Sequence, residues 1–187
     1  MHGEVLDCSH KTDGTVAVDC PPIDVAIAVS TLLNRLQQSD TFAMRFNVRW
    51  SFGDFAAHLD KAPDSTPWVD VVPPVKPTSE LDGRYWYKHG VGVRVGVRVK
   101  LKDVTVDWSE AFDPEAIKPY VNLLYQIKGY FDPSTTNPRG LVLEDYVPGA
   151  CVTRGCTIVK AWDPDLLTGV KLYCGIIEVP FALKVQA

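Results

Sequence analysis

The sequence feature that most limits the fold is the run VGVRVGVRVKL at positions 91–101, in which aliphatic residues alternate with glycine or a basic residue. Successive side chains of a β-strand point to opposite faces, so this run has one aliphatic face and one face of glycines and cations. Burying six aliphatic side chains at about 1.5–3 kcal/mol each contributes on the order of 10 kcal/mol before chain entropy is subtracted. The run therefore predicts an interior strand with one covered face.

The glycines of this segment argue against a dinucleotide site. Gly90, Gly92 and Gly96 partly match the dinucleotide fingerprint, but Val95 stands where the third glycine belongs, and that motif needs a turn between strand and helix. A glycine inside a strand is typical of a close approach by another backbone. We therefore expect another part of this chain, or a neighbouring subunit, to pack tightly on the face of glycines and cations.

Size and composition predict one globular domain, with or without an extension. The chain has 187 residues, of which 46% are hydrophobic and 22% charged, as in ordinary soluble domains. The net charge of −4 gives no global attraction to nucleic acid or to a membrane. Neither a long apolar run nor a basic-then-apolar N-terminus is present, so we expect no transmembrane helix and no signal peptide.

Cysteine and histidine usage predicts no metal and no cofactor. The five cysteines are an odd number without a C-x-x-C pair, so free and mostly buried thiols are expected. His2, Cys8, His10 and Cys20 could supply four zinc ligands, but their spacing fits no familiar zinc pattern. The sequence also lacks the usual hydrolase, metalloprotease and phosphate-loop motifs, and we predict that the protein is not an enzyme.

Apolar spacing in the first half predicts a helix followed by two strands. A helix capped by Asp24 and extending to about Gln38 has the spacing of an amphipathic segment, through Val25, Val29, Leu32 and Leu36. Alternation then predicts strands over residues 41–52 and 68–72, with a short helical turn at 53–59 between them. Residues 73–83, which are rich in proline, are expected to form a loop that leads to the valine strand.

A second helix is predicted from about Pro114 to Tyr130. Its apolar stripe is interrupted by Pro119, and an interior proline costs about 3 kcal/mol. The alternative is a helix that begins at Pro119, with residues 113–118 as a separate turn. Both alternatives place a long helix before a long loop at 132–149.

The last third predicts two strands joined by a turn. The first strand ends near Trp162, residues 163–169 form the turn, and the second strand begins at Val170. The apolar alternation of the second strand shifts by one residue at positions 175–177, which is how a β-bulge appears in sequence. Asp163 and Asp165 could in principle hold a metal, but Asp-Pro-Asp is a common turn former.

These elements predict an α+β fold, an α/β sandwich with a mixed, mostly antiparallel sheet of about five strands and two main helices packed on one face. Residues 1–22 are expected to form an N-terminal arm, and residues 23–187 a single domain with the long loop at 132–149.

The order of elements resembles that of the tail terminator (tail completion) proteins of long-tailed bacteriophages. The likeness is carried by the helix at 24–36, the strand at 42–50 with the following DFAAHL, the strand at 68–72, the valine strand, the DPEA helix start and the strand after WDPDLL. The resemblance covers residues of about 24–130 and 150–185. The N-terminal arm, Pro119 and the long loop depart from the simplest members.

This resemblance implies a structural virion protein, typically in a ring of six copies, that ends tail-tube growth and joins the tail to the head connector. The implied partners are further copies of the chain, the tail tube protein and head–tail connector proteins. DNA passes through such a ring without specific binding, and no membrane is involved. The implied location is the virion neck, after assembly in the host cytoplasm. Head-closure and connector-adaptor proteins remain alternatives.

Basic residues of the predicted sheet are the candidate interface or DNA-facing residues: Arg45, Arg49, Arg94, Arg98 and Lys100. In the alternative reading they belong to a nucleic-acid or small-ligand binding module. Such a module needs aromatic side chains on the same face for stacking, whereas the aromatic residues of these strands are expected on the apolar face.

Overall fold

The computed structural model describes residues 21–37, 39–50, 66–73, 78–81, 86–101, 114–133, 151–152 and 155–186. The predictions made for the arm before Pro21, for the segment 54–59 and for most of the loop at 132–149 lie outside these residues.

The described residues form three α-helices and one mixed sheet. In chain order the elements are α1 (Pro21–Leu36), β1 (Asn47–Trp50), β2 (Trp68–Val72), β3 (Thr78–Leu81), β4 (Trp86–Lys100), a 3-10 turn (Pro114–Ala116), α2 (Lys118–Phe131), β5 (Cys151–Val152), β6 (Thr157–Lys160), α3 (Pro164–Val170) and β7 (Leu172–Gln186). The main path of the sheet is β1-β2-β4-β7-β5, with β3 beside β4 and β6 beside β7. Strands β1 and β2 are parallel, and the other pairs are antiparallel. The predicted α+β fold is confirmed.

The valine run lies at the centre of the sheet, as predicted. Strand β4 pairs with β7 without interruption from Trp86 opposite Gln186 to Lys100 opposite Leu172. All five valines at the odd positions 91–99 are at most 1% exposed. Strand β2 pairs with the other edge of β4 from Arg94 to Arg98, so both edges of β4 are paired over these residues.

Helices α1 and α2 pack on the same face of the sheet. Val25 and Leu33 of α1 and Leu124 and Phe131 of α2 belong to one core cluster with the β4 valines. The rings of Phe131 and Phe181 of β7 meet edge to face with their centroids 6.3 Å apart. The two main helices therefore cover one face, as the apolar stripes predicted.

The helix starts differ from the first expectation. Helix α1 begins at Pro21, so the last two residues of the predicted arm 1–22 belong to the helix. Asp24 lies within the first turn of α1 and is not the N-cap. Proline fits at this position because the first backbone N–H groups of a helix have no partner within it. Helix α2 begins at Lys118 with Pro119 in its first turn, and the 3-10 turn stands separately before it. This confirms the alternative in which Pro119 belongs to the helix start.

The predicted strand at 41–52 is wrong for residues 41–46, because β1 begins only at Asn47. In the preceding segment side chains satisfy the backbone: Gln126 Oε1 accepts from Ala43 N at 2.9 Å. Phe42 and Phe46 are nevertheless buried, with ring centroids 5.4 Å apart. The bulky residues that alternate here are buried, but they belong to an irregular segment and do not pair as a strand.

The C-terminal third is more divided than predicted. The first predicted strand is split into β5 and β6, and the predicted turn is the helix α3. Asp163 caps this helix, since its Oδ1 accepts from Asp165 N at 3.1 Å and from Leu166 N at 3.3 Å. Strand β7 begins at Leu172 and not at Val170, which ends α3.

The predicted bulge in β7 is wrong, since β7 pairs continuously with β4. The register shift lies in the neighbouring strand β6, between Ile158 and Lys160. The apolar side chains of β7 change from one face of the sheet to the other for another reason. Cys174 and Ile176 pack with Val72 on the face opposite α1 and α2, whereas the next apolar residues face the helices.

The predicted loop at 73–83 contains strand β3, which pairs with the start of β4. Thr78 stands opposite Gly90, and a side chain at position 90 would collide with Thr78 Oγ1. A Cβ at Gly92 would lie 3.1 Å from Glu178 Oε1. Both glycines therefore make room for side chains from adjacent strands of the same chain.

Candidate functional site

The candidate site is the sheet face opposite α1 and α2, which carries most of the predicted cations. Strand register places the even-numbered residues of β4 on this face, beside Arg49 of β1 and Asp70 of β2. On the other side of β4, Glu178 of β7 stands opposite Arg94. This face also carries the buried residues Val72, Cys174 and Ile176, with Leu166 of α3 packed against them. We call its charged and aromatic part the cationic face and define it by Arg49, Trp68, Asp70, Arg94, Arg98, Lys100 and Glu178.

A buried carboxylate links three strands of the cationic face. Asp70 Oδ1 accepts from Arg49 Nε at 2.8 Å, and Asp70 Oδ2 accepts from Arg98 Nε. The side chains of Asp70 and Arg98 are each 1% exposed, and that of Arg49 is 27% exposed. Two guanidinium groups therefore share one carboxylate and tie β1, β2 and β4 together.

The burial of Arg98 corrects its prediction as an interface or DNA-facing residue. A charge is retained in the interior only when it is paired, and Asp70 supplies the pairing from the diagonal position on β2. The alternation that put Arg98 beside Arg94 in one row identified the correct face. Alternation alone did not show that Arg98 would be buried within that face.

The other cations of the cationic face are more accessible. Arg49 Cζ lies 4.4 Å from the centroid of the Trp68 ring, in cation–π geometry. Arg94 is 53% exposed, and its Nε lies 3.4 Å from Glu178 Oε2. Lys100 is exposed at the end of β4. An exposed ion pair such as that of Arg94 contributes only about 0–1 kcal/mol.

Arg45 is exposed but precedes β1, so strand register does not assign it to a face. Trp68, by contrast, is a member of the cationic face that the sequence did not reveal. It stands opposite Arg98, so the expectation that aromatic residues lie only on the apolar face is wrong at this position. Its place depends on the pairing of β2 with β4, for which the local sequence carries no signal.

A second polar cluster ties the end of α2 to the segment before β6. The carboxylate of Asp132 accepts from Lys128 Nζ and, at 2.5 Å, from Cys156 N. Burial alone would raise the pKa of Asp132, but these hydrogen bonds outweigh it and hold the pKa below its ordinary 3.8. The cluster is a structural tie between two elements.

The two thiols described in the structure are free and buried, as predicted for cysteines of this chain. Burial, with the nearby Asp132, raises the pKa of Cys156 to about 12. Burial also raises the pKa of Cys174 to about 12. Both groups are therefore protonated thiols at neutral pH, which is a state unsuited to nucleophilic chemistry.

No group of three or more histidine, cysteine and acidic side chains within the described residues is arranged to hold a metal ion. The His2, Cys8, His10 and Cys20 set lies outside those residues. Among the described helices, none has the length and hydropathy that a membrane crossing requires.

Comparisons with known proteins give no family assignment. No protein-family model matches the chain, and a search of curated proteins finds no match.

Proposed function

We propose that the protein is a structural subunit of the neck of a long-tailed bacteriophage, similar to a tail terminator. In this role six copies form a ring that caps the tail tube and joins it to the head connector. DNA passes through the ring without specific binding, and no catalysis, cofactor or membrane is required.

The observation that carries the proposal is a group of exposed hydrophobic side chains beside β6. Tyr125, Val159 and Trp162 are 51%, 43% and 47% exposed. The hydroxyl of Tyr173 donates to Ala161 O at 2.9 Å, next to Trp162. A Cβ at Gly175 would lie 2.8 Å from Leu124 Cδ2 and 2.9 Å from Ala161 O, so the part of α2 that carries Tyr125 lies beside the end of β6.

We call Tyr125, Val159 and Trp162 the β6 patch. Large aromatic side chains that remain exposed in a well-packed domain are typical of a protein–protein interface. The patch therefore supports a subunit that is completed by contact with other chains.

The two edges of the sheet favour contact with other copies through side chains and not through the addition of a strand to the sheet. Strand β6 is four residues long, has a register shift at Val159 and carries Lys160, all of which discourage strand pairing. At the other edge, Gln37 Oε1 accepts from Val48 N of β1 at 3.3 Å. A closed ring with a defined number of copies needs edges that do not pair with strands of other copies, because unlimited edge pairing produces fibres.

The test is the mass of the purified protein in solution, by light scattering and native mass spectrometry, with images of the particles. A ring of about six copies is expected, alone or with tail tube protein. Trp162→Ser should weaken assembly, whereas Ile27→Ser, at an exposed apolar position on α1, should not. A compact monomer at high concentration, even with tube protein present, would overturn the proposal.

The nucleic-acid module is the weaker candidate. Arg98 is buried, and Arg49 and Arg94 already face carboxylates, so the surface offers DNA fewer cations than expected. DNA affinity that falls steeply with salt would favour the module. Capture of the head connector without the tail tube would instead favour a head-closure or adaptor role.

A further inference from the structure

The negative charge of the chain is concentrated at one end. The 20 residues before α1 contain four acids and one lysine, a net charge of −3: Glu4, Asp7, Asp13, Asp19 and Lys11. The whole chain carries 19 basic and 23 acidic residues, so the remaining 167 residues carry 18 and 19, a net charge of −1. The segment 1–20 is therefore a distinctly acidic part of a nearly neutral protein.

The cationic face has the opposite sign. Its four cations, Arg49, Arg94, Arg98 and Lys100, exceed its two carboxylates, Asp70 and Glu178, by two charges. The outward part of this excess is at Arg94 and Lys100, which are both exposed.

Arg94 is able to change partners. Its contact with Glu178 is long, at 3.4 Å, and both side chains reach solvent. Since such an exposed pair stabilises the fold little, another carboxylate can replace Glu178 without disturbing the sheet.

We propose that residues 1–20 of one copy bind the cationic face of a neighbouring copy, with their carboxylates at Arg94 and Lys100. This inference rests on the proposed function, because it names a second contact between adjacent subunits beside that of the β6 patch. It commits to the chain's own acidic segment as the occupant of this face, and complementary charge also speeds and orients association.

Length and spacing support the contact. A segment of 20 residues spans up to about 66 Å when extended, while a domain of this size has a radius of gyration of about 16 Å. Asp13 and Asp19 are six residues apart, as are Arg94 and Lys100. Six residues of extended chain cover about 20 Å in either case. Because Arg98, between the two cations, is buried, the contact is made at the two exposed ends.

The first experiment reverses the charges of the segment 1–20, then those of the cationic face, and then both sets together. Asp13→Lys with Asp19→Lys, and separately Arg94→Glu with Lys100→Glu, should each weaken assembly about tenfold or more. The four changes together should restore most of the assembly, because the charges are again complementary. Glu115→Lys, an exposed acidic position outside the segment, is the matched control. Circular dichroism of each variant checks that the fold is kept.

The second experiment distinguishes contact between copies from contact within one copy. Wild-type chains with and without a heavy isotope label are mixed and assembled, and zero-length cross-links between a carboxylate of residues 1–20 and Lys100 are mapped by mass. Contact between copies predicts cross-linked peptide pairs with one labelled and one unlabelled member. Pairs whose members always carry the same label show an arm that binds its own chain, and this outcome overturns the inference.

The two proposals fail differently. If the wild type assembles and both charge-reversal variants assemble equally well, the arm contact is wrong and the ring proposal stands. If the wild type remains a monomer under all conditions, the ring proposal is wrong and the contact between copies is wrong with it.

Discussion

Arg98 of β4 and Asp70 of β2 form an ion pair inside the sheet, each with a side chain only 1% exposed. Arg49 of β1 reaches the second oxygen of the same carboxylate. Taking charges out of water costs several kcal/mol per ion, and the pairing has to offset that cost. The arrangement makes the fold sensitive to the loss of one carboxylate.

Replacing Asp70 should therefore be strongly destabilising. Asp70→Asn keeps the size of the side chain but removes the charge shared by two guanidinium groups, and we expect a loss of about 3–5 kcal/mol in the free energy of unfolding. Urea denaturation measures it. Glu178→Gln, at the exposed pair with Arg94, should change the same quantity by less than about 1 kcal/mol. Equal effects at the two positions would contradict the buried pairing.

Two glycine-to-alanine changes should have opposite signs. A Cβ at Gly175 would lie 2.8 Å from Leu124 Cδ2 and 2.9 Å from the backbone oxygen of Ala161, so Gly175→Ala should cost about 1–3 kcal/mol. Gly129 lies in α2 with nothing within 4 Å of its Cβ position. Gly129→Ala should be neutral or stabilise by up to about 1 kcal/mol. Thermal and urea unfolding of both variants give the comparison, and stabilisation by Gly175→Ala would contradict the packing.

The tie at Asp132 predicts a particular pH dependence. The pKa of Asp132 is lower in the folded protein, because hydrogen bonds from Lys128 and Cys156 N outweigh burial. A carboxyl of this kind contributes its stability above the unfolded pKa and loses it as the pH falls through the folded pKa. The free energy of unfolding should therefore decline below about pH 4. The hydrogen bond from Lys160 lowers the pKa of Asp163, which acts in the same direction.

In Asp132→Asn this decline should be smaller, and the protein should be less stable at neutral pH. Lys128→Met should also flatten the decline, since it removes a hydrogen bond that lowers the pKa of Asp132. Urea denaturation at a series of pH values measures the slope. A slope unchanged from wild type in Asp132→Asn would show that the carboxyl is not ionised in this tie.

The thiols of Cys156 and Cys174 should resist alkylation in the folded protein. Their pKa values, raised from 9.0 to about 12, reduce the thiolate fraction at pH 8 roughly a thousandfold. Iodoacetamide labelling followed by peptide mass mapping measures each cysteine separately, and denatured protein is the control. Rapid labelling of either thiol in the native state would contradict its burial.

Local pattern predicted much of the fold. The strict alternation at 91–99 identified an interior strand, because a single period of two admits no other regular structure. The stripe through Val25 and Val29 identified α1 for a similar reason. The strand prediction was wrong at Phe42 and Phe46, because these buried aromatic residues alternate like those of a strand although their segment is irregular. Likewise, the phase change in β7 reflects burial of both faces and not a bulge.

By itself the sequence determined which residues share a face, because side-chain direction follows from the backbone period alone. It placed Arg94, Arg98 and Lys100 in one row. Only the tertiary structure decided their different environments, since β2 brings Asp70 beside Arg98 from 28 positions away along the chain. That pairing buries one cation of the row and leaves the other two exposed. Electrostatic partners depend on distance in space, and a local period contains no information about which distant strand will lie alongside.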